Sequence, residues 1–241
     1  MEERKSNDLM GTNTKSLVFV FLVLLSLLVL YTAYDKQTKT LNEQKAIDVL
    51  MFVDSVKSLS ELNKIAALAS IGLIAVVFLV GPLSKFFPKL FGKYLVYRKP
   101  VGLSGLALGL IHGIYSAAVF YNFSLDNVIS AGKELPIAAS IIGLGIFIIM
   151  GITSTKKAVE YFGYKNWKTI QTCGYIGLLL IILHFFLLES KPVIGLDVRP
   201  YGLVFFYLAI IAIIMRLVLI IVETKDRKKY EQHFGQTGKQ T

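Results

Sequence analysis

Two histidines stand inside long charge-free apolar stretches, and they are the residues best placed to do chemistry. His112 lies between Pro100 and Leu125, and His184 lies between Thr169 and Leu188. Ionisable side chains are expensive inside a bilayer, so those that occur there tend to mark function. His112 is 12 residues past Pro100 and His184 is 15 past Thr169. If both helices enter from the same side, the two rings sit about 18 and 22 Å along, at 1.5 Å per residue. Two neutral imidazoles at similar depth across a gap are what a six-coordinate haem iron needs. Small residues share their helix faces. Gly105 and Gly109 precede His112 by seven and three residues, and Ser116 follows it by four. Gly177 and Cys173 precede His184 by seven and eleven. The same spacing also fits a small-residue packing seam in which each histidine bonds to a neighbouring helix. From spacing alone both readings stay open.

Further groups of chemical interest within apolar stretches are Gln171 and Cys173, near the start of one stretch, and Arg216 near the end of another. Arg216 is expected to snorkel toward water. No Asp or Glu lies within a stretch, which argues against a proton pump or cation-coupled carrier. His233 stands alone in a polar tail, and one histidine makes no metal site. The single cysteine forbids an internal disulfide or a CxxC motif.

The elements that must hold these residues follow from composition. Of 241 residues, 54% are hydrophobic and 17% charged, against about 25% charged in an average soluble domain. The mean hydropathy is +0.61. Six stretches, at about 16–34, 65–84, 100–125, 135–155, 169–188 and 200–222, are each long enough to span a bilayer. Crossing a core of about 30 Å takes roughly 20 apolar residues. The fold expected is an all-α, polytopic bundle of six transmembrane helices, forming one domain over 16–222. The polar 35–64 segment becomes an external loop open to helix formation, with a weak apolar stripe of Ile47, Leu50, Met51 and Leu62; it reads as a lid on the outer membrane surface or, alternatively, as a docking surface for an external partner. The tails, 1–15 and 223–241, are too short for a nucleotide-binding domain, and no GxGxxG motif occurs.

Orientation comes from the cations. The segments before the first span, between the second and third, between the fourth and fifth, and after the sixth carry seventeen Lys and Arg. The opposite loops carry eight, five of them in 35–64 beside five acids. By the positive-inside rule both termini are cytoplasmic, and the protein is a multi-pass protein of the cell membrane. The net charge of +10 is therefore a topology signal. The partners expected are the lipid bilayer and no nucleic acid.

Two stretches then resemble a family. GPLSKFFPKLFGKYLVYRKPVGLSGLALGLIHGIYS is similar to the second-to-third-helix region of ferric-reductase-like transmembrane domains. There a basic pair precedes a small-Gly-Leu step and a haem-ligand histidine; the matching residues here are Arg98, Lys99, Gly102, Leu103 and His112. ITSTKKAVEYFGYKNWKTIQTCGYIGLLLIILHFF resembles the fourth-to-fifth-helix region, with Thr153, Ser154, Trp167, Lys168, Tyr175 and His184 in the family's positions. Within the family the resemblance is to the haem-binding membrane subunit of the bacterial methionine sulfoxide reductase system. It implies a haem b held by His112 and His184, with Gly105, Gly109 and Gly177 as small residues facing it. The departure is Gln171, which stands where the family has a second fifth-helix histidine for an inner haem. Thirteen residues separate it from His184, about 20 Å of helix. One haem is therefore expected, and the inner one is doubtful.

The resemblance implies an electron-transfer subunit that passes electrons from a flavin or quinol donor to an external acceptor. If it is an enzyme, it is an oxidoreductase subunit that needs a separate redox partner. The alternative is a haem-free membrane scaffold on the same fold.

Overall fold

The computed structural model describes residues 40–51, 53–195 and 200–234, with positions 14, 18–20, 22, 26 and 33–35 before them. The expected first span at 16–34 and the N-terminal tail lie largely outside the described residues, as do positions 235–241; the rest of the expected C-terminal tail continues the last helix as far as Phe234. After the first span comes a short antiparallel pair, β1 (Tyr34–Asp35) against β2 (Thr40–Leu41). The remaining elements are helical. Among the described residues, five helical segments are long and apolar enough to cross a membrane: Ser55–Phe86, Pro88–Tyr121, Glu134–Thr153, Lys156–Leu188 and Gly202–Asp226. The chain is an all-α polytopic membrane protein.

The segment at 35–64 is less of a loop than its composition suggests. Helix α1 (Glu43–Leu50) starts on Asn42, whose side chain accepts from the Lys45 N–H. Helix α2 (Ser55–Phe86) starts on Asp54, which caps the Lys57 N–H in the same way. Such caps satisfy donors that a helix start leaves open. Thus α2 begins ten residues before its apolar stretch and carries Asn63 inside the bundle.

α2 is the central helix. It packs along α4 (Arg98–Tyr121) and α8 (Pro200–Phe234), and touches α7 (Lys156–Gly195). A short helix, α3 (Pro88–Phe91), and a 3-10 turn over Gly92–Tyr97 lead from α2 into α4. α4 ends at Tyr121, because Asn122 and Phe123 adopt φ of 49° and 52°. These left-handed angles stop the helix before the charge-free stretch runs out. A short α5 (Leu125–Ser130), capped by Ser124, follows, and then α6 (Glu134–Thr153). Gly163 has φ of 72°, a value glycine adopts without penalty, and it marks a break in regular geometry ahead of the apolar part of α7.

Two antiparallel seams hold the bundle. Along α2–α4, the Ser70 hydroxyl donates to the Gly105 carbonyl at 2.8 Å. A Cβ on Gly105 would stand 2.9 Å from Ile74, and one on Gly109 would stand 2.9 Å from the Ser70 hydroxyl. Along α6–α7, Gly143 and Gly177 cross. A Cβ on either would come within 3.1–3.3 Å of the other's carbonyl oxygen. Small residues let helix backbones approach closely, which drives association where lipid provides no hydrophobic force. The outer faces are apolar and open: Ile111, Ile114, Ile141, Ile152 and Leu179 are all more than half exposed. A face of that kind belongs in lipid.

Pro82 interrupts α2. Without an N–H it cannot bond to the carbonyl of residue 78. The Tyr175 hydroxyl, from α7, donates to the Phe78 carbonyl at 2.9 Å, and so replaces the missing bond.

Candidate functional site

His112 and His184 come from α4 and α7. These two helices share no extended contact; each is held by other helices. α4 lies on α2 and α6, and α7 lies on α6, α8 and α2. Both histidines are partly buried and lie within Coulombic reach of each other.

Each ring is fixed from one edge by an acceptor. His112 Nδ1 is 3.2 Å from the Asn63 backbone carbonyl and 3.1 Å from Asn63 Oδ1. Asn63 is 6% exposed, and its Nδ2 donates to the Ser116 hydroxyl at 3.0 Å. That bond identifies the amide oxygen as the end turned to the histidine. His184 Nδ1 is 2.8 Å from the Pro136 carbonyl, in the first turn of α6. Carbonyl oxygens only accept, so Nδ1 carries the proton in both rings. The lone pair is then on Nε2, at the ring edge turned away from the seam. Metal-bound histidines are held in this tautomer by the same kind of bond. Among the described residues no group of three or more His, Cys, Asp or Glu could chelate a bare ion. Two imidazoles suit an iron that already has equatorial ligands.

The three glycines expected to face a cofactor have helices opposite them. Gly105 and Gly109 sit against α2, and Gly177 against α6. They share the helix faces of His112 and His184, so the stripes that close the seams also carry the histidines. Asn63, which the sequence reading left in a loop, is the residue that most directly orients His112. Its signal was a seven-residue spacing to Ser70, both being buried polar residues on the α4-facing side of α2.

At the other end of the bundle, Gln171 is engaged in structure. Its Nε2 donates to the Met150 carbonyl at 3.2 Å and the Thr153 hydroxyl at 3.1 Å. Trp167 Nε1 donates to the Thr153 carbonyl at 3.0 Å. These side chains satisfy carbonyls that the last turn of α6 leaves open. Close by, the Arg98 Nε donates to the Val77 carbonyl at 3.1 Å. The Arg216 guanidinium lies over the Tyr175 ring at 5.5 Å. Cys173 is exposed, and His233 has no described side-chain environment.

Residues 66–182 match the family model described as ferric reductase like transmembrane component. The match holds His112 and Gln171 and ends two residues before His184.

Proposed function

We propose, from the match of residues 66–182 to the ferric reductase like transmembrane component model, that the chain is a haem b-binding electron-transfer subunit of the cell membrane. The family supports a membrane electron-transfer role in general; the rest of the assignment is ours. His112 on α4 and His184 on α7 would hold one haem. The bound haem supplies a one-electron couple. The protein's own residues do the rest. The Asn63 and Pro136 carbonyls hold the Nδ1 protons and leave both Nε2 lone pairs for iron. The α2–α4 and α6–α7 seams fix the separation of the two histidine-bearing helices. Open apolar faces keep the assembly in lipid.

The observation that carries this reading is the matched tautomer of the two rings. Six spans with both termini cytoplasmic, in one domain over 16–222, put the pair in the outer half of the bilayer. Electrons then enter from a flavoprotein or quinol and leave to an external acceptor, through a partner such as a methionine sulfoxide reductase. With Gln171 committed to the end of α6, one haem is the expected content.

The test is spectroscopic. Protein purified from haem-replete cells should show a sharp Soret band and a reducible b-type α-band. His112→Ala and His184→Ala should each abolish the six-coordinate spectrum. Wild-type spectra in both variants would overturn the ligand assignment. A colourless protein after haem reconstitution would favour the second reading, a scaffold in which each histidine serves only its seam bond.

A further inference from the structure

At the end of the bundle opposite the histidines, α7 and α8 part around a cavity of about 580 Å³. Its wall has two characters. Lys165, Lys168 and Arg216 supply three cations, and Ile176, Ile213, Leu217 and Ile220 form an apolar flank. Among the described residues no Asp or Glu lines it. The nearest acid further along α8, Glu223, is exposed seven residues beyond Arg216.

Arg216 is the unusual member. Its Nε is buried and, among the described residues, has no hydrogen-bond partner. Its only described contact of note is the Tyr175 ring. Arg98 lies within Coulombic reach of both the Tyr175 phenol and Arg216. Two guanidinium groups converging on one phenol without a carboxylate are short of negative charge, and a buried charge needs a partner. Lys168 Nζ lies over the Tyr164 ring at 5.9 Å, and no ion pair holds it or Lys165 among the described residues. Two threonines in the wall, Thr169 and Thr172, give their hydroxyl protons to carbonyls of their own helix, Lys165 and Lys168, at 3.2 and 2.8 Å. Apart from the Tyr164 hydroxyl and the weak Cys173 thiol, the donors left over are cationic.

The cavity also opens outward. Ile176 and Leu217 are more than half exposed, so the apolar flank continues into the face that meets lipid. A ligand there has a phosphate-like anion at the cationic end and an apolar body along α7 and α8. We propose that the α7–α8 cavity is a binding site for an anionic phospholipid of the surrounding leaflet. Its phosphate lies among Lys165, Lys168 and Arg216, and its acyl chains lie along Ile176, Ile213, Leu217 and Ile220. The site is independent of the histidine pair and stands or falls separately from the haem reading.

The full-length protein, delipidated in a neutral detergent, is titrated with dioleoyl phosphatidylglycerol, dioleoyl phosphatidylcholine or inorganic phosphate. Bound lipid is counted by native mass spectrometry. Quenching of the single tryptophan, Trp167, by brominated acyl chains reports proximity, since its ring is 5.8 Å from Tyr164 in the cavity wall. Phosphatidylglycerol should bind about tenfold tighter than phosphatidylcholine and quench Trp167. The exposed double variant Lys165→Gln/Lys168→Gln should lose most of that preference. The control Lys89→Gln/Lys93→Gln, in the other cationic segment, should keep it. Arg216→Gln should lose it too, but a misfolded Arg216 variant leaves the lysine pair as the deciding measurement. Equal binding of the two lipids, or an unchanged preference in the Lys165/Lys168 variant, overturns the proposal. So does saturation by inorganic phosphate with no lipid preference, or displacement of phosphatidylglycerol by a short-chain quinone at equal concentration.

Discussion

Asn63→Ala separates a ligand-orienting role from a merely structural one. The substitution removes the amide oxygen 3.1 Å from His112 Nδ1 and leaves the backbone carbonyl of the same residue at 3.2 Å. The ring therefore keeps one acceptor and its tautomer. Loss of a partner behind a metal-bound histidine usually costs 10–100-fold in affinity. With half of the acceptor pair retained, the low end applies, about tenfold, or about 1.4 kcal/mol. Losing one of the two acceptors also makes the imidazole slightly less electron-rich, which disfavours ferric iron. The midpoint potential should rise, by at most about 59 mV if the whole tenfold loss fell on the ferric state. The assay is a haem titration of apo-protein followed by a redox titration, with His112→Ala alongside. Ser116 loses its partner too, so thermal stability will fall modestly; the potential is the readout that a packing loss alone would not move. Asn63→Ala binding haem as tightly as wild type at an unchanged potential would refute the argument. Complete loss of haem, equal to that in His112→Ala, would also refute it, because the backbone acceptor would then count for nothing.

Other outcomes follow from the same geometry. Tyr175→Phe should destabilise the bundle by about 1–3 kcal/mol by leaving the Phe78 carbonyl without a donor. Pro82→Ala, which restores an N–H for that carbonyl, should recover part of the loss in a detergent unfolding cycle, and strict additivity of the two changes would refute the compensation. A pyridine haemochrome assay on fully loaded protein should give one haem per chain, and Gln171→Ala should leave the spectrum intact; a ratio near two would overturn the reading of Gln171. In a Cys173→Ser background, Asp126→Cys should react with an impermeant maleimide from outside intact cells. Reaction only after permeabilisation would reverse the proposed orientation.

Much of the architecture was legible because lipid imposes a simple rule. A span must be apolar for roughly 20 residues, and five of the six apolar stretches coincide with described helices. Element ends were less legible. The end of α4 depends on left-handed angles at Asn122 and Phe123, which hydropathy does not encode. The start of α2 depends on a cap at Asp54, ten residues outside the apolar core of that helix. For the same reason Asn63 was assigned to a loop, although its burial comes from the turn of α2 that continues past the apolar stretch to meet His112.

Helix periodicity correctly placed Gly105, Gly109 and His112 on one face, and Gly177 and His184 on another. What periodicity cannot say is what stands opposite a face. The glycines meet backbone and side chains of α2 and α6, and the histidines meet carbonyls of those same helices. The two readings that spacing left open, a packing seam and an iron-ligand pair, are therefore compatible at different edges of the same ring. Nδ1 belongs to the seam, and in binding to it leaves Nε2 unprotonated on the far edge. A seam that only glued helices together could equally have used Ser or Thr, as the Ser70–Gly105 bond does. An imidazole adds a second nitrogen aimed away from the helix that holds it. Its presence on two helices that share no extended contact is the feature a packing role alone leaves unexplained.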